Sequence, residues 1–334
     1  ALIAPDIGPF TVKLLGGPVG LTLFIGSLIL PFLVDYGLAE AVGVLLRPIM
    51  RPIFHLPGRT AVIAITSYFG NFSLGHIGIE KMLKQGQVTQ KEAVIVGTGF
   101  ATASIVTLMV FANLTGIMDQ WGLYITMVTL ITFLITAICV RLYPIRGKSD
   151  DYYPGVTPDP EPVYSKNILK NAYMEGVKAA ERALPFHKCL LAQLKSVTFM
   201  LGTILGSGMF FMAGALLLQK YTPVVTWIGY IFWPFLKLVG MPNIEVAMQA
   251  SGLSLLDQTL AVTMGANAIG AGIDLALTTR FYLAIMPVSM IMFFSGFAPA
   301  ILSTEIDIKI HELVALWFIR VVLTILIVGA FGLI

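Results

Sequence analysis

The sequence predicts an all-α polytopic membrane protein with about six transmembrane helices plus two re-entrant hairpins, arranged as two inverted repeats. Three observations predict it. Hydrophobic residues make up 57% of the 334 and charged residues only 12%, with a mean hydropathy of +0.87; soluble domains carry roughly 25% charged residues. Two segments, 59–84 and 244–278, are polar and interrupted by glycine, yet each is embedded between strongly apolar stretches. In hydrocarbon, broken backbone survives only where it is buried in protein or lines a watery cavity. Finally, the chain reads as one order used twice: span, interfacial stretch with prolines and aromatics, polar broken segment, span, span.

In the first repeat, 1–141, residues 14–36 form the opening span, around LTLFIGSLILPFLV. Residues 37–58 mix apolar side chains with Arg47, Arg51, His55 and prolines 48, 52 and 57, which suits an interfacial helix and a turn. The first hairpin, 59–84, follows, then spans at 92–114 and 119–141. Small and hydroxyl side chains in GTGFATAS (97–104) permit close helix packing, and Glu92 is placed to cap the start of its span.

Residues 142–192 are the one long polar stretch: an acidic, proline-rich linker (DDYYPGVTPDPEPVYS) and an amphipathic helix at 165–184. The second repeat, 193–334, has a span at 193–219, an interfacial stretch at 222–240, the second hairpin at 244–278, and spans at 281–301 and 310–333. Three crossings per repeat force the second to be upside down relative to the first. With the first loop inside, 16 of the 21 Lys and Arg fall on the cytoplasmic side, four outside, and Arg320 within a span. That positive-inside bias predicts a cell inner (plasma) membrane protein with both termini outside.

Candidate site residues come from the two hairpins, because intramembrane carboxylates and amides usually mark an ion or substrate path. For hydrogen bonds to a substrate these are Ser67, Asn71 and Ser73 in the first, with Gln249, Ser254, Asp257 and Asn267 in the second. Gly70 and Gly75 in the first copy and Gly270 and Gly272 in the second are the expected backbone breaks. Asp274, with Thr278, stands where a glycine-rich break would free carbonyls beside a carboxylate. That combination suits Na⁺ or H⁺, since hard cations take oxygen ligands; the alternative is an Asp that caps the following helix. Arg280 pairs with Asp274, holds an anionic substrate or anchors the next span, His76 is a structural polar residue, and Arg320 pairs with Glu312 or a carbonyl.

Other chemistry lacks its residues. The chain holds two cysteines and no CxxC, P-loop, GxSxG or HExxH. We expect no enzyme, no cofactor beyond a coupling ion, no structural metal and no nucleic-acid partner. The opening ALIAPDIGPF has no basic n-region of a signal peptide.

The stretch EKMLKQGQVTQKEAVIVGTGFATAS (80–104), preceded by SYFGNFSLG, resembles the nucleoside-recognition Gate domain of YjiH-type membrane proteins, and GAGIDLALTTRFYLA (270–284) is similar to a second copy. Gate domains also occur in concentrative nucleoside transporters, the membrane region of ferrous-iron transporters and spore-maturation proteins. The resemblance implies paired hairpins and unwound helices that bind a solute and a coupling cation. The expected function is an ion-coupled secondary transporter of a small polar, nucleoside-like solute, working by alternating access between the hairpin tips. Amino acids or dipeptides are alternative solutes, and a structural or partner-binding subunit is the alternative class. Expected partners are the lipid bilayer, the solute, and a second copy or another Gate-domain membrane protein.

Overall fold

The computed structural model describes residues 36–69, 72–164, 166–183 and 221–332, with isolated positions between 185 and 217. The expected span 14–36 lies almost wholly outside the described residues, and the span 193–219 lies outside them apart from isolated positions. The elements described are helices and turns.

The first interfacial stretch forms α1 (Leu38–Phe54), with Pro48 and Pro52 inside it. One face buries Ala39, Gly43, Met50 and Phe54 while Leu45, Ile49 and Ile53 stay exposed. The first hairpin is α2 (Ala61–Phe69) packed on α3 (Phe72–Lys84). The helices approach closely because Gly75 offers no side chain: a Cβ there would stand 2.5 Å from Ser67 Oγ and 3.1 Å from Ala101 Cβ.

The next element differs from the expected continuous span. Residues 92–114 form two half-helices, α4 (Gln90–Gly99) and α5 (Ile105–Leu114), separated by an extended break at 101–104. α4 opens with a capping box, Thr89 and Glu92 satisfying each other's backbone N–H groups, as expected of Glu92. α5 has its own N-cap: Ser104 Oγ accepts from Thr107 N at 3.3 Å. A residue that caps a helix cannot also continue the one before it, so the sequence that looked like packing small talk, GTGFATAS, is where the helix restarts.

α6 (Trp121–Cys139), with the 3-10 turn at Met118–Gln120, is long and apolar enough to cross a membrane. The polar linker then runs back along the base of the first hairpin. Glu161 accepts from Gly58 N and Arg59 N, both at 3.0 Å, and Arg59 pairs with Asp159 at 3.1 Å. The carbonyls of Ser149 and Asp151 take the N–H groups of Lys91 and Gln90, so hairpin, half-helix and linker form one clasped end. The amphipathic helix follows as α7 (Ile168–Arg182), packed against α1.

The second repeat uses the same order. Two short helices, α8 (Val224–Tyr230) and α9 (Trp233–Leu238), replace α1. The hairpin is α10 (Ile244–Ser254) and α11 (Gln258–Gly270), turning at Leu255–Asp257. The expected span 281–301 is again two half-helices, α12 (Leu277–Ser289) and α13 (Phe297–Leu302), with the break at 290–296. Pro299 contributes to this: its ring clashes with the carbonyl four residues earlier, at Ser295, which disfavours a helix running through that point. α14 (Ile310–Gly332) closes the described chain as the second helix able to cross a membrane.

Candidate functional site: two hairpin tips on two broken helices

At the second tip, α10 ends at Ser254 and α11 restarts at Gln258, with Asp257 as N-cap. Its Oδ1 accepts from Thr259 N at 2.7 Å and Leu260 N at 3.1 Å; its Oδ2 accepts from the hydroxyl of Ser295, in the break of α12–α13. Backbone bonds continue the seam: Phe294 N donates to Leu255 O and Ser295 N to Leu256 O, both at 2.9 Å. The tip is thus stitched to the break by main chain and one carboxylate that is 3% exposed. Ser254 is spoken for as well, accepting from Trp317 Nε1 at 2.9 Å.

The first tip is built differently. Gly70 and Asn71 lie outside the described residues. Ser67 Oγ, on α2, and Thr102 Oγ1, in the break of α4–α5, are buried without a hydrogen-bond partner. His76 Nε2 donates to Gly97 O at 3.2 Å, which leaves the Nδ1 of a neutral ring as a buried acceptor with no donor. Such groups each cost about 1–3 kcal/mol when nothing satisfies them, and here they gather beside one tip and one break.

The two halves touch through aromatic rings. Phe72 lies 5.3 Å from Phe293 and His76 lies 4.7 Å from Phe297, both edge-on. Gly296 admits the contact, since a Cβ there would stand 3.2 Å from Phe72 Cζ. The first hairpin therefore rests on the break of the second repeat.

Arg320 ties the two breaks from behind. It is 1% exposed, and its Nε donates to Ser289 O at 2.6 Å, the last residue of α12. Its Nη2 reaches Thr136 Oγ1 at 3.2 Å, and that hydroxyl also bonds Gly99 O at 3.1 Å, the last residue of α4. The guanidinium thus faces a carbonyl partner rather than Glu312, which pairs with Lys148 at 2.8 Å. The C-terminal ends of two half-helices carry unmatched carbonyls and a partial negative charge, so they stabilise a cation that has no carboxylate among its bonds.

Of the candidates read from sequence, Ser67, Ser73, Ser254 and Asp257 lie buried at or beside the tips. Gln249 is half-buried along α10, and Asn267 is exposed on α11. Asp274 and Thr278 sit at the opposite end of α11, about 20 Å of helix from Asp257 at 1.5 Å per residue. The Asp274 side chain is 99% exposed and 3.6 Å from Arg280; Thr278 is half-buried in the first turn of α12. Gly270 and Gly272 belong to that same outer turn, away from the tip, and only Gly272 (φ +79°) uses a glycine conformation. Gly75 lies within α3 as a close-packing position and is not itself a break. Sequence reading missed Thr102 and Ser295. The signals were present: Ser104 as a cap inside an apolar run, and Gly296 with Pro299 inside another.

Hairpin tips abutting interrupted helices, in two copies of one order, define a fold class known from secondary transporters. Comparison with known proteins adds one family-model match over part of the chain and likenesses of fold. Residues 18–118 match the family model described as Gate, nucleoside recognition, which bears out the resemblance read from the sequence. The fold is similar to two structures of the concentrative nucleoside transporter CNTnw. A doubly substituted form in an outward-facing state gives a TM-score of 0.60 at 13% identity, covering 99% of this chain and 81% of that one. An inward-facing, substrate-bound state gives 0.51 at 12% identity, covering 100% and 80%. An uncharacterised protein of Alkalihalophilus pseudofirmus is 28% identical over 328 residues, which cover 92% of this chain and 65% of that one; the chain spans just under two thirds of that relative's length.

Proposed function

We propose that the chain is an ion-coupled secondary transporter of a small polar, nucleoside-like solute. The observation that carries this reading is the cluster of unmet polar atoms at the first tip, Ser67 Oγ, Thr102 Oγ1 and His76 Nδ1, enclosed where hairpin, broken helix and the opposite repeat converge. The solute binds between the two tips, with Asn71 and Ser73 contributing from the first. The buried, unpartnered hydroxyl of Thr102 is an oxygen ligand of the kind a hard cation such as Na⁺ takes, and it suits that role better than the solvent-facing Asp274. Alternating access moves this site between the faces of the inner membrane, with both termini outside and the repeats inverted.

Uptake of labelled nucleosides and amino acids into proteoliposomes, under an imposed Na⁺ or proton gradient, tests the proposal. We expect nucleoside uptake driven by Na⁺ and lost in Thr102→Val with the protein still folded. Absence of uptake and of binding for every solute under both gradients, in well-folded protein, would sink the transporter reading in favour of a structural subunit.

A further inference from the structure

We infer that α1 and α7 together form a seat for anionic phospholipid of the cytoplasmic leaflet. The two helices pack side by side through Gly37 and Gly176, where a Cβ on Gly176 would stand 3.1 Å from Gly37 O. Each turns an apolar stripe outward: Leu45, Ile49 and Ile53 on α1, and Leu169, Tyr173 and Val177 on α7. Leu169 is 77% and Tyr173 73% exposed. Contiguous exposed stripes of this kind mark an interaction surface.

Two further observations identify the occupant. Arg141, just past the end of the apolar helix α6, donates to Ile53 O at 3.0 Å and Pro52 O at 3.4 Å. That contact sets α1 level with the end of an apolar helix long enough to cross a bilayer, where hydrocarbon gives way to headgroups. Cations then flank the stripes: Lys166, just before α7, and Lys170, Lys178 and Arg182 on it are exposed, Lys178 pairing with Glu175 at 2.7 Å. Between the helices lies a groove of about 250 Å³ lined by Arg47, Arg51, Pro48, Pro52, Tyr164 and Ile168. Arg51 pairs with Glu92 through one terminal nitrogen and keeps its side chain 42% exposed, leaving donors free for a phosphate. Apolar stripes bordered by Lys and Arg fit a helix lying in the plane of an anionic leaflet. A protein partner would leave the cation pattern and the level of α1 unexplained.

The test uses the whole purified protein in nanodiscs of phosphatidylcholine, with or without phosphatidylglycerol. A fluorophore on Leu169→Cys, in a Cys189→Ser background, should be quenched by a nitroxide carried at headgroup depth, and more strongly with phosphatidylglycerol present. In detergent, a fluorescent phosphatidylglycerol should bind more weakly to Lys166→Gln/Lys170→Gln by about fivefold per lysine, and more weakly as salt rises. Both lysines are on the surface, so the variant should fold. A label at 169 that the nitroxide fails to quench, or lipid binding indifferent to both salt and the double substitution, would overturn the inference.

Discussion

Asp257 offers a test in which the arithmetic separates a seam from a bystander. Its carboxylate accepts two backbone N–H groups of α11 and the hydroxyl of Ser295, all in a buried site. Asp257→Ala removes an N-cap, worth about 0.5–2 kcal/mol, and strands the buried Ser295 hydroxyl at about 1–3 kcal/mol. Removing a buried charge also relieves desolvation, which complicates any single variant. Asp257→Asn relieves the same desolvation yet keeps the cap, since Asn caps about as well as Asp, and its amide can donate to Ser295 Oγ. The desolvation contribution cancels in the comparison. Ala should therefore be less stable than Asn by about 2–4 kcal/mol. Thermal unfolding of both variants in one detergent, with urea or guanidinium titration as a second ranking, reads the difference. Equal stability of the two would refute the claim that this side chain stitches the second hairpin to the broken helix.

Two further expectations follow from the geometry. Gly270→Ala should stabilise α11, by up to about 1 kcal/mol, and leave solute binding intact, because nothing lies within 4 Å of the added methyl. Gly272→Ala should instead cost about 1–2 kcal/mol through its left-handed backbone; thermal midpoints with calorimetric binding check the pair. Arg320→Met should leave the protein folded but less stable by about 1–3 kcal/mol, and should speed hydrogen exchange at both 101–104 and 290–296. Unchanged exchange at either break would mean that the guanidinium does not hold the two together.

Much of this architecture was legible in the sequence because period and composition act locally. The two interfacial stretches, the two hairpins, the capping Glu92 and the amphipathic helix after the acidic linker all follow from residue patterns a few turns long. The breaks in 92–114 and 281–301 were hidden because their flanks are as apolar as any span. Hydropathy averages over about 19 residues and so reads straight through breaks as short as 101–104 and 290–296. The glycines misled for a related reason. Glycine signals either a turn or a close approach, and the sequence does not say which. Gly75 and Gly296 serve close approach, whereas Gly270 ends a helix that alanine could end as well. Asp257 could be flagged as a polar residue in a hairpin, but its partner Ser295 lies 38 residues on, and no local pattern joins them.

The repeats share an order of elements without sharing how their polar atoms are met, and that difference bears on how such a site would operate. In the second repeat the tip atoms named here all have partners, and three of the contacts, from Leu255, Leu256 and Asp257, reach the adjacent break. A tip held by several bonds of about 0.5–1.5 kcal/mol each moves with its broken helix as one piece. In the first repeat the corresponding region holds three buried atoms with unused capacity. Those atoms gain most from an arriving ligand, because they were not already satisfied. Binding free energy would accordingly be delivered at the first tip, while the second supplies a rigid wall against it. Arg320, bonded at the end of α12 and through Thr136 to the end of α4, joins the first half to the stitched half. On the proposed function, a change at the first tip would meet the second half through this polar strut, which is costly to break where no water competes.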